Sequence, residues 1–366
     1  MNNNALQAPV ITSSATIDHP VRVRDEWSAL KEVIVGVIED VRVPEWDPSL
    51  AAVIPSHAKP ELMHRSGRAF DPELVQLARA EVDGLADVLE REGVVVRRPD
   101  KVDLRTPVVT PHFTAGGSFY SAMPRDGLFA IDDIIIESPM AWRSRYFEAF
   151  AYRPILDDYF RRGSRWLAAP RPQLSDDLWS PQWRPDTGTF ESVITEQEPV
   201  FDAADFVRLG GGVILGQISH VTNHSGVEWL QRCLGPNYEV LAYVFDDDGP
   251  MHIDTTLLPV GPERVLVNRK WVSRLPDVLK DWEVLVPPPS TIPNNHPLFF
   301  TSKWIHCNVL VLNEQTVLVE QDETPLIEAF ISWGFDVIKV PFKHFQTFGG
   351  SFHCATLDVR RDSGLR

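Results

Sequence analysis

A cysteine that follows a glycine-rich turn is a candidate nucleophile, and Cys354 has that setting in Gly349-Gly350-Ser351-Phe352-His353-Cys354. The glycines permit close backbone approach or positive φ, and a thiol is activated when a histidine lies nearby in space. Cys233, inside a helical pattern, and Cys307, ahead of an apolar strand, have the setting of inert buried thiols. A second cluster is Pro250-Met251-His252-Ile253-Asp254-Thr255-Thr256. As a strand it would project His252 and Asp254 onto one face. A carboxylate there can raise the imidazole pKa and orient the ring for general acid–base work. A strand-edge histidine beside a solvated aspartate is an equally open reading. The third cluster, Phe201-Asp202-Ala203-Ala204-Asp205, sets two carboxylates three apart, on one helical turn or at a strand entry. Turn and capping aspartates explain that pair as well. Other chemistries lack their signatures. The triple glycine 210–212 has no Lys-Ser/Thr ending and reads as a hairpin turn, and the 11 histidines include no HExxH. No metal is expected.

The elements that must position these residues recur as a unit: strand, turn, strand, helix, strand. The clearest copy spans 308–342, where VLVL, Asn313-Glu314 and TVLVE precede a helix over 325–333 and the strand DVIKV. Asp322 and Thr324 are expected caps, Pro325 suits the first helical turn, and Gly334 suits the C-terminal end. A copy beginning near 254 has a helix expected over 276–282, and another spans 205–245. A looser one has LFAI, IIIES, a helical stretch over 141–162 and RWLAAP. The first, EVIVGVI to VVVRRP, carries a long insertion. Segments 41–60 and 170–199, rich in Pro, Trp and Asp, are expected as loops over one face. Five units that each bury little apolar surface alone should pack together. The reading is α/β, one domain over 21–366 in a pseudo-fivefold ring of ββαβ repeats, after a disordered lead-in over 1–20. A doubly wound sheet would not place paired strands before each helix.

Composition narrows the partners. There are 35 Lys and Arg against 51 Asp and Glu, a formal charge of −16, which repels nucleic acid and anionic lipid. Three cysteines make no disulfide framework and suit a reducing compartment. No apolar run nears the ~20 residues of a membrane span, and the N-terminus lacks the pattern of a secretory signal. A cytoplasmic protein is expected.

The chain resembles the arginine amidinotransferases, which include glycine and inosamine-phosphate amidinotransferases. The resemblance runs from about Trp27 onward. It is densest in PRDG (124–127), PMAWRSRYFE (139–148), EPVFDAADF (198–206), VTNHSGVEWL (221–230), PMHIDTT (250–256), IPNNHPLFFTSKWI (292–305) and GGSFHCATLDVRR (349–361). It implies a five-bladed α/β propeller with a central active site, in agreement with the five units. By resemblance Cys354 is the nucleophile, His252 the general acid–base residue and Asp202 the carboxylate that orients it. Asp126 and Asp254 hold the substrate guanidinium, and Met251, Thr301 and Ser302 line the pocket. An arginine that binds the substrate α-carboxylate maps near Asn268, where this chain is two residues shorter; Arg269 is the first candidate and Arg274 the second.

The implied reaction is ping-pong transfer from L-arginine through an amidino-cysteine to an acceptor amine. Ornithine is released, and no cofactor is required. Two departures bear on the acceptor. Ser351 replaces the third glycine of many members, and Ala355 stands where glycine-using members carry Trp. A roomier acceptor side is therefore expected, for lysine, a polyamine-like amine or an aminocyclitol. A homodimer is compatible with the resemblance. The rivals are a guanidino-compound hydrolase of the arginine deiminase kind, with water as acceptor, and a non-catalytic propeller scaffold.

Overall fold

The computed structural model describes residues 19–362 except 40, 104, 118, 119 and 186, so nearly all of the expected lead-in lies outside the described residues. Among the described residues the strands form five three-stranded sheets and one two-stranded hairpin. In each three-stranded sheet an antiparallel pair is followed by a parallel third strand. In four of the five units an α-helix precedes the third strand, which makes the fold α/β.

The unit over 308–342 forms as its pattern dictates. Strands Leu310–Asn313 and Thr316–Glu320 pair antiparallel, and helix Thr324–Ser332 leads to Asp336–Val340. Gly334 takes φ 88 just past the helix, a conformation that costs glycine little. The helix has Glu323 as its N-cap, in place of the expected Asp322 or Thr324, and no side chain caps it. The Glu323 carboxylate is engaged elsewhere, accepting from the Ser290 hydroxyl and from the Thr291 N–H at 2.9 Å.

Three further sheets repeat this order: Leu128–Ile131, Ile134–Glu137 and Arg165–Ala168; Phe206–Arg208, Val213–Gln217 and Glu239–Tyr243; Leu257–Gly261, Arg264–Val267 and Glu283–Leu285. Gly210, Gly211 and Gly212 join two of these strands with φ 78, 61 and 82, the hairpin turn expected of them. The fifth sheet is assembled differently. Its first strand is the last of the described chain, Thr356–Asp362, which pairs antiparallel with Ala29–Val35; Val95–Arg97 completes it after helix Pro72–Arg91. Local pattern could not show this pairing, because its partners lie more than 300 residues apart.

Three expected elements differ. Residues 141–162 form two 3-10 turns and a helix, Arg153–Arg161, because Pro154 has no N–H and cannot sit inside a longer helix. The helix expected over 276–282 is only a 3-10 turn, Asp277–Leu279. The insertion 41–60 is not a plain loop: it carries helix Pro48–Val53, capped by Asp47, and begins Lys59–Arg65.

A buried ionic cluster ties the sheets together. Arg208 is paired with Glu26 at 2.8 Å and donates to the Ala130 carbonyl at 2.7 Å. Arg125 pairs with Asp358 at 2.9 Å, as does Arg361 at 2.8 Å, and Arg361 donates to the Val311 carbonyl at 2.8 Å. Removing one partner would strand an unpaired buried charge.

Candidate active site

In all five units a short turn precedes the leading strand. These turns are Pro124–Gly127, Ala203–Asp205, Ile253–Thr255, Lys303–Cys307 and residues 352–355. On or beside them sit Asp126, Asp202, His252 with Asp254, Asn308, and Cys354. The repeat thus delivers one or two polar groups per unit to one place. The segment around His252 is not the strand expected of it: His252 is extended and Asp254 lies in a 3-10 turn, so the turn, not strand alternation, brings both to the site.

Cys354 is buried, and its sulfur accepts from Asn308 Nδ2 at 3.2 Å and donates to Asp254 Oδ2 at 3.3 Å. Asn308 Oδ1 also accepts the N–H groups of Ser351 and Cys354, both at 3.1 Å, which pins the turn that carries the thiol. His252 Nε2 lies 3.1 Å from Asp202 Oδ2, and its Nδ1 lies 3.6 Å from Asp126 Oδ1. Trp142 Nε1 donates to Asp202 Oδ2 at 2.8 Å, and Arg145 pairs with Asp126 Oδ2 at 2.9 Å and with Glu148 at 2.8 Å. His353 Nδ1 lies 2.8 Å from Asp254 Oδ2, linking the site to Glu26 of the ionic cluster at 3.4 Å. Asp126 Oδ1 and Asp254 Oδ1 are buried and have no hydrogen-bond donor among the described residues.

This charge distribution sets the protonation states. Burial opposes the imidazolium of His252, but Asp126, the hydrogen-bonded Asp202 and Asp205 outweigh it and push its pKa up to about 10. Burial, then the charges of Asp254 and Asp126, hold the Cys354 thiol well above the ordinary thiol range. Burial would raise Asp254, yet its hydrogen bond from His353 leaves it below the usual carboxylate value. Burial raises Asp126 despite His252 and Arg145. Before a ligand arrives the site therefore holds a neutral thiol beside a cationic histidine.

A cavity of about 240 Å³ ends at Cys354, His252 and Asp254, and Met251, Thr301 and Ser302 are in its walls. The two insertions reach it through Lys59 and Trp183. Potential metal-ligating atoms of Asp126, His252 and Cys354 lie within 4.8 Å of one another, so the same three groups could also hold a soft cation.

Comparison with known proteins gives the site a context. No protein-family model matches the chain. It is 43% identical over 348 residues to an L-arginine:L-lysine amidinotransferase of Pseudomonas savastanoi pv. phaseolicola, covering 94% of this chain and 96% of that protein. It is 42% identical over 359 residues to mitochondrial glycine amidinotransferase of Danio rerio, covering 95% and 84%. The chain belongs to the amidinotransferase family. The solved amidinotransferase of the saxitoxin biosynthetic pathway from Microseira wollei matches with TM-score 0.87 and 43% identity, over 95% of this chain and 99% of that one. Inosamine-phosphate amidinotransferase from Streptomyces griseus matches with TM-score 0.86 and 36% identity, over 94% and 98%. The protein is an enzyme of this class, and no helix among its described residues is long and apolar enough to cross a membrane.

Two positions named from the sequence lie off the cavity wall of this amidinotransferase. Arg269 is exposed and absent from the cavity wall, and the exposed Arg274 pairs with Asp277 at 3.2 Å; the next residue, Lys270, lines the cavity instead. Ala355, the expected source of acceptor space, is fully buried and does not line the cavity. Asn308, Arg145 and Trp142 went unassigned from the sequence. The equivalence of the five turns was the signal that could have found Asn308.

The glycines before Cys354 give a direct test of this geometry. A Cβ on Gly350 would lie 2.6 Å from Met123 Sδ and 2.7 Å from Cys354 Cβ. Gly350→Ala is expected to displace the thiol and lower kcat by about 100-fold, the order of loss for a displacement near 1 Å. Unchanged kcat in a variant of normal thermal stability would contradict the pinned-turn account.

Proposed function

We propose that this amidinotransferase takes L-arginine as donor and transfers its amidino group through Cys354 to an amine of lysine-like length. The carrying observation is the pair Asp126 Oδ1 and Asp254 Oδ1, two buried carboxylate oxygens without hydrogen-bond donors among the described residues, one on a carboxylate that contacts the Cys354 thiol at 3.3 Å and the other on a carboxylate within 4.8 Å of it. A guanidinium offers five N–H donors in a planar fork and a charge that both carboxylates favour. Its binding takes Asp254 away from the thiol proton and counters the negative charges that hold Cys354 neutral. The thiolate then attacks the guanidinium carbon. The imidazolium of His252, oriented by Asp202, protonates the departing nitrogen, and ornithine leaves Cys354 as an amidino thioether. Over this half-reaction one S–C bond forms and one C–N bond breaks; the departing nitrogen takes up the proton of His252 and the proton lost by sulfur, so ornithine leaves as its ammonium and His252 is left neutral. His252, now neutral, accepts a proton from the incoming acceptor, whose attack restores the thiol.

The five sheets are best read as blades of one propeller domain over 21–366, since the last described strand pairs with the first and five equivalent turns converge on Cys354. Three free cysteines suit a cytoplasmic setting. A homodimer belongs to the same reading, and nucleic acid does not, given the −16 charge.

A product assay decides the reaction. Arginine supplied with a panel of glycine, lysine, a diamine and an aminocyclitol should release ornithine, with lysine or another long amine the best acceptor. A strong preference for glycine would overturn the acceptor. Citrulline formed without any amine would replace transfer by hydrolysis.

A further inference from the structure

We propose that Arg145 is a positioning residue for amidino transfer. With Glu148 and Tyr120 it forms a buried strut that holds the Asp126 carboxylate and the Cys354 turn at one fixed separation. The inference rests on the reading above, in which Asp126 receives the donor guanidinium beside the thiol. Tyr120 precedes the turn Pro124–Gly127, whereas Arg145 and Glu148 belong to the 3-10 turns Arg143–Arg145 and Glu148–Tyr152. All three side chains are buried. Arg145 divides its planar fork between two carboxylates: Nη1 donates to Asp126 Oδ2 at 2.9 Å and Nε donates to Glu148 Oε2 at 2.8 Å. The other Glu148 oxygen, Oε1, accepts the Tyr120 N–H at 2.8 Å. The Tyr120 hydroxyl donates to the Phe348 carbonyl at 2.5 Å, and the Arg145 guanidinium carbon lies 5.6 Å from the Tyr120 ring centroid. Phe348 immediately precedes Gly349, which takes φ 94, and the chain reaches Cys354 five residues later.

The strut has two consequences for the chemistry. Asp126 Oδ2 is held by Arg145, which blocks rotation of the carboxylate. Oδ1 is then the oxygen left for a ligand; it has no donor among the described residues and lies 3.6 Å from His252 Nδ1. Burial raises the Asp126 pKa, and His252 and then Arg145 oppose that rise, so the same contact favours the anion that a guanidinium needs. The thiol turn, for its part, is gripped from two directions. Asn308 Oδ1 accepts the N–H groups of Ser351 and Cys354, and Tyr120 holds the Phe348 carbonyl. A guanidinium seated on Asp126 and the sulfur that must attack it are thus fixed against one another. A misplacement of about 1 Å between reacting groups costs on the order of 100-fold in rate. Lysine in place of Arg145 would keep the charge and lose the planar fork that fixes both carboxylates at once.

Arg145→Lys and Tyr120→Phe test the strut with two thiol reagents of matched shape. The amidinium of 2-chloroacetamidine can be seated by Asp126, and the neutral amide of 2-chloroacetamide cannot. Each alkylation rate is taken relative to that of free mercaptoethanol. The wild type should favour the amidinium, and arginine should protect Cys354 from it. In Arg145→Lys this preference should fall about 100-fold, together with kcat/KM for arginine. Tyr120→Phe removes one neutral hydrogen bond and leaves every charge in place, so both quantities should fall about fivefold. A looser fold or an altered thiol ionisation would move the two reagents together and leave the preference as it was. Tyr120→Phe decides by itself if Arg145→Lys does not fold. An unchanged preference in either folded variant would overturn the strut while leaving Asp126 as the guanidinium site. A wild type with no preference for the amidinium and no protection by arginine would remove that site, and the strut with it.

Discussion

Cys354→Ala is expected to lower ornithine release by about 10⁴-fold or more, the order found when a covalent nucleophile is removed. The loss should be confined to chemistry. The side chain is buried in a turn held by two hydrogen bonds to Asn308 Oδ1 that start from backbone N–H groups, so alanine keeps the main-chain geometry. Asp126 and Asp254 remain, and with the thiol proton gone from Asp254 the variant should still bind arginine by calorimetry. Circular dichroism and thermal unfolding should match the wild type. Transfer above a few per cent of the wild-type rate would sink the thiol-bound intermediate, because neither Cys233 nor Cys307 lines the cavity, and burial, then Glu323, push the Cys307 thiol far upward.

His252→Gln is the second large effect, a loss of about 10²- to 10⁴-fold in kcat, the usual range for a positioned acid–base group. The glutamine amide can still donate toward Asp202 but carries no transferable proton. In the wild type the neighbouring carboxylates keep His252 protonated up to about pH 10, so the proton needed by the leaving amine is present throughout the neutral range. Removing that cation also leaves Asp126 and Asp202 with one positive neighbour fewer. Rapid-mixing measurement of the first half-reaction should show its rate collapse while arginine still binds. An undiminished burst of ornithine would assign the proton to another group.

Much of the fold was legible because its signals are local. Apolar strand runs recur in each unit, Pro opens helices Pro72–Arg91, Arg153–Arg161 and Thr324–Ser332 with Gly just past their ends, and the triple glycine declared its hairpin. Cys354, His252, Asp254 and Asp202 stood out for the same reason, each lying in a short polar cluster between apolar runs. What escaped reading depends on distance. The partner of strand Ala29–Val35 lies at the far end of the described chain, and the hydrogen bond from Asn308 to Cys354 crosses 46 residues. Arg145, given no role within PMAWRSRYFE, is buried against Asp126 and Glu148.

The strand Thr356–Asp362 begins two residues after Cys354 and closes the first sheet against Ala29–Val35. Seam and thiol therefore share one segment, which clasps a strand more than 300 residues away. By the proposed mechanism the four units over 124–340 hold the acid–base histidine and the carboxylates, but not the nucleophile. A chain cut within the seam loses the clamp that holds the thiol in place. In that reading a clipped copy is expected to be silent toward guanidino compounds, and reactivity is gated by a single long-range strand pairing.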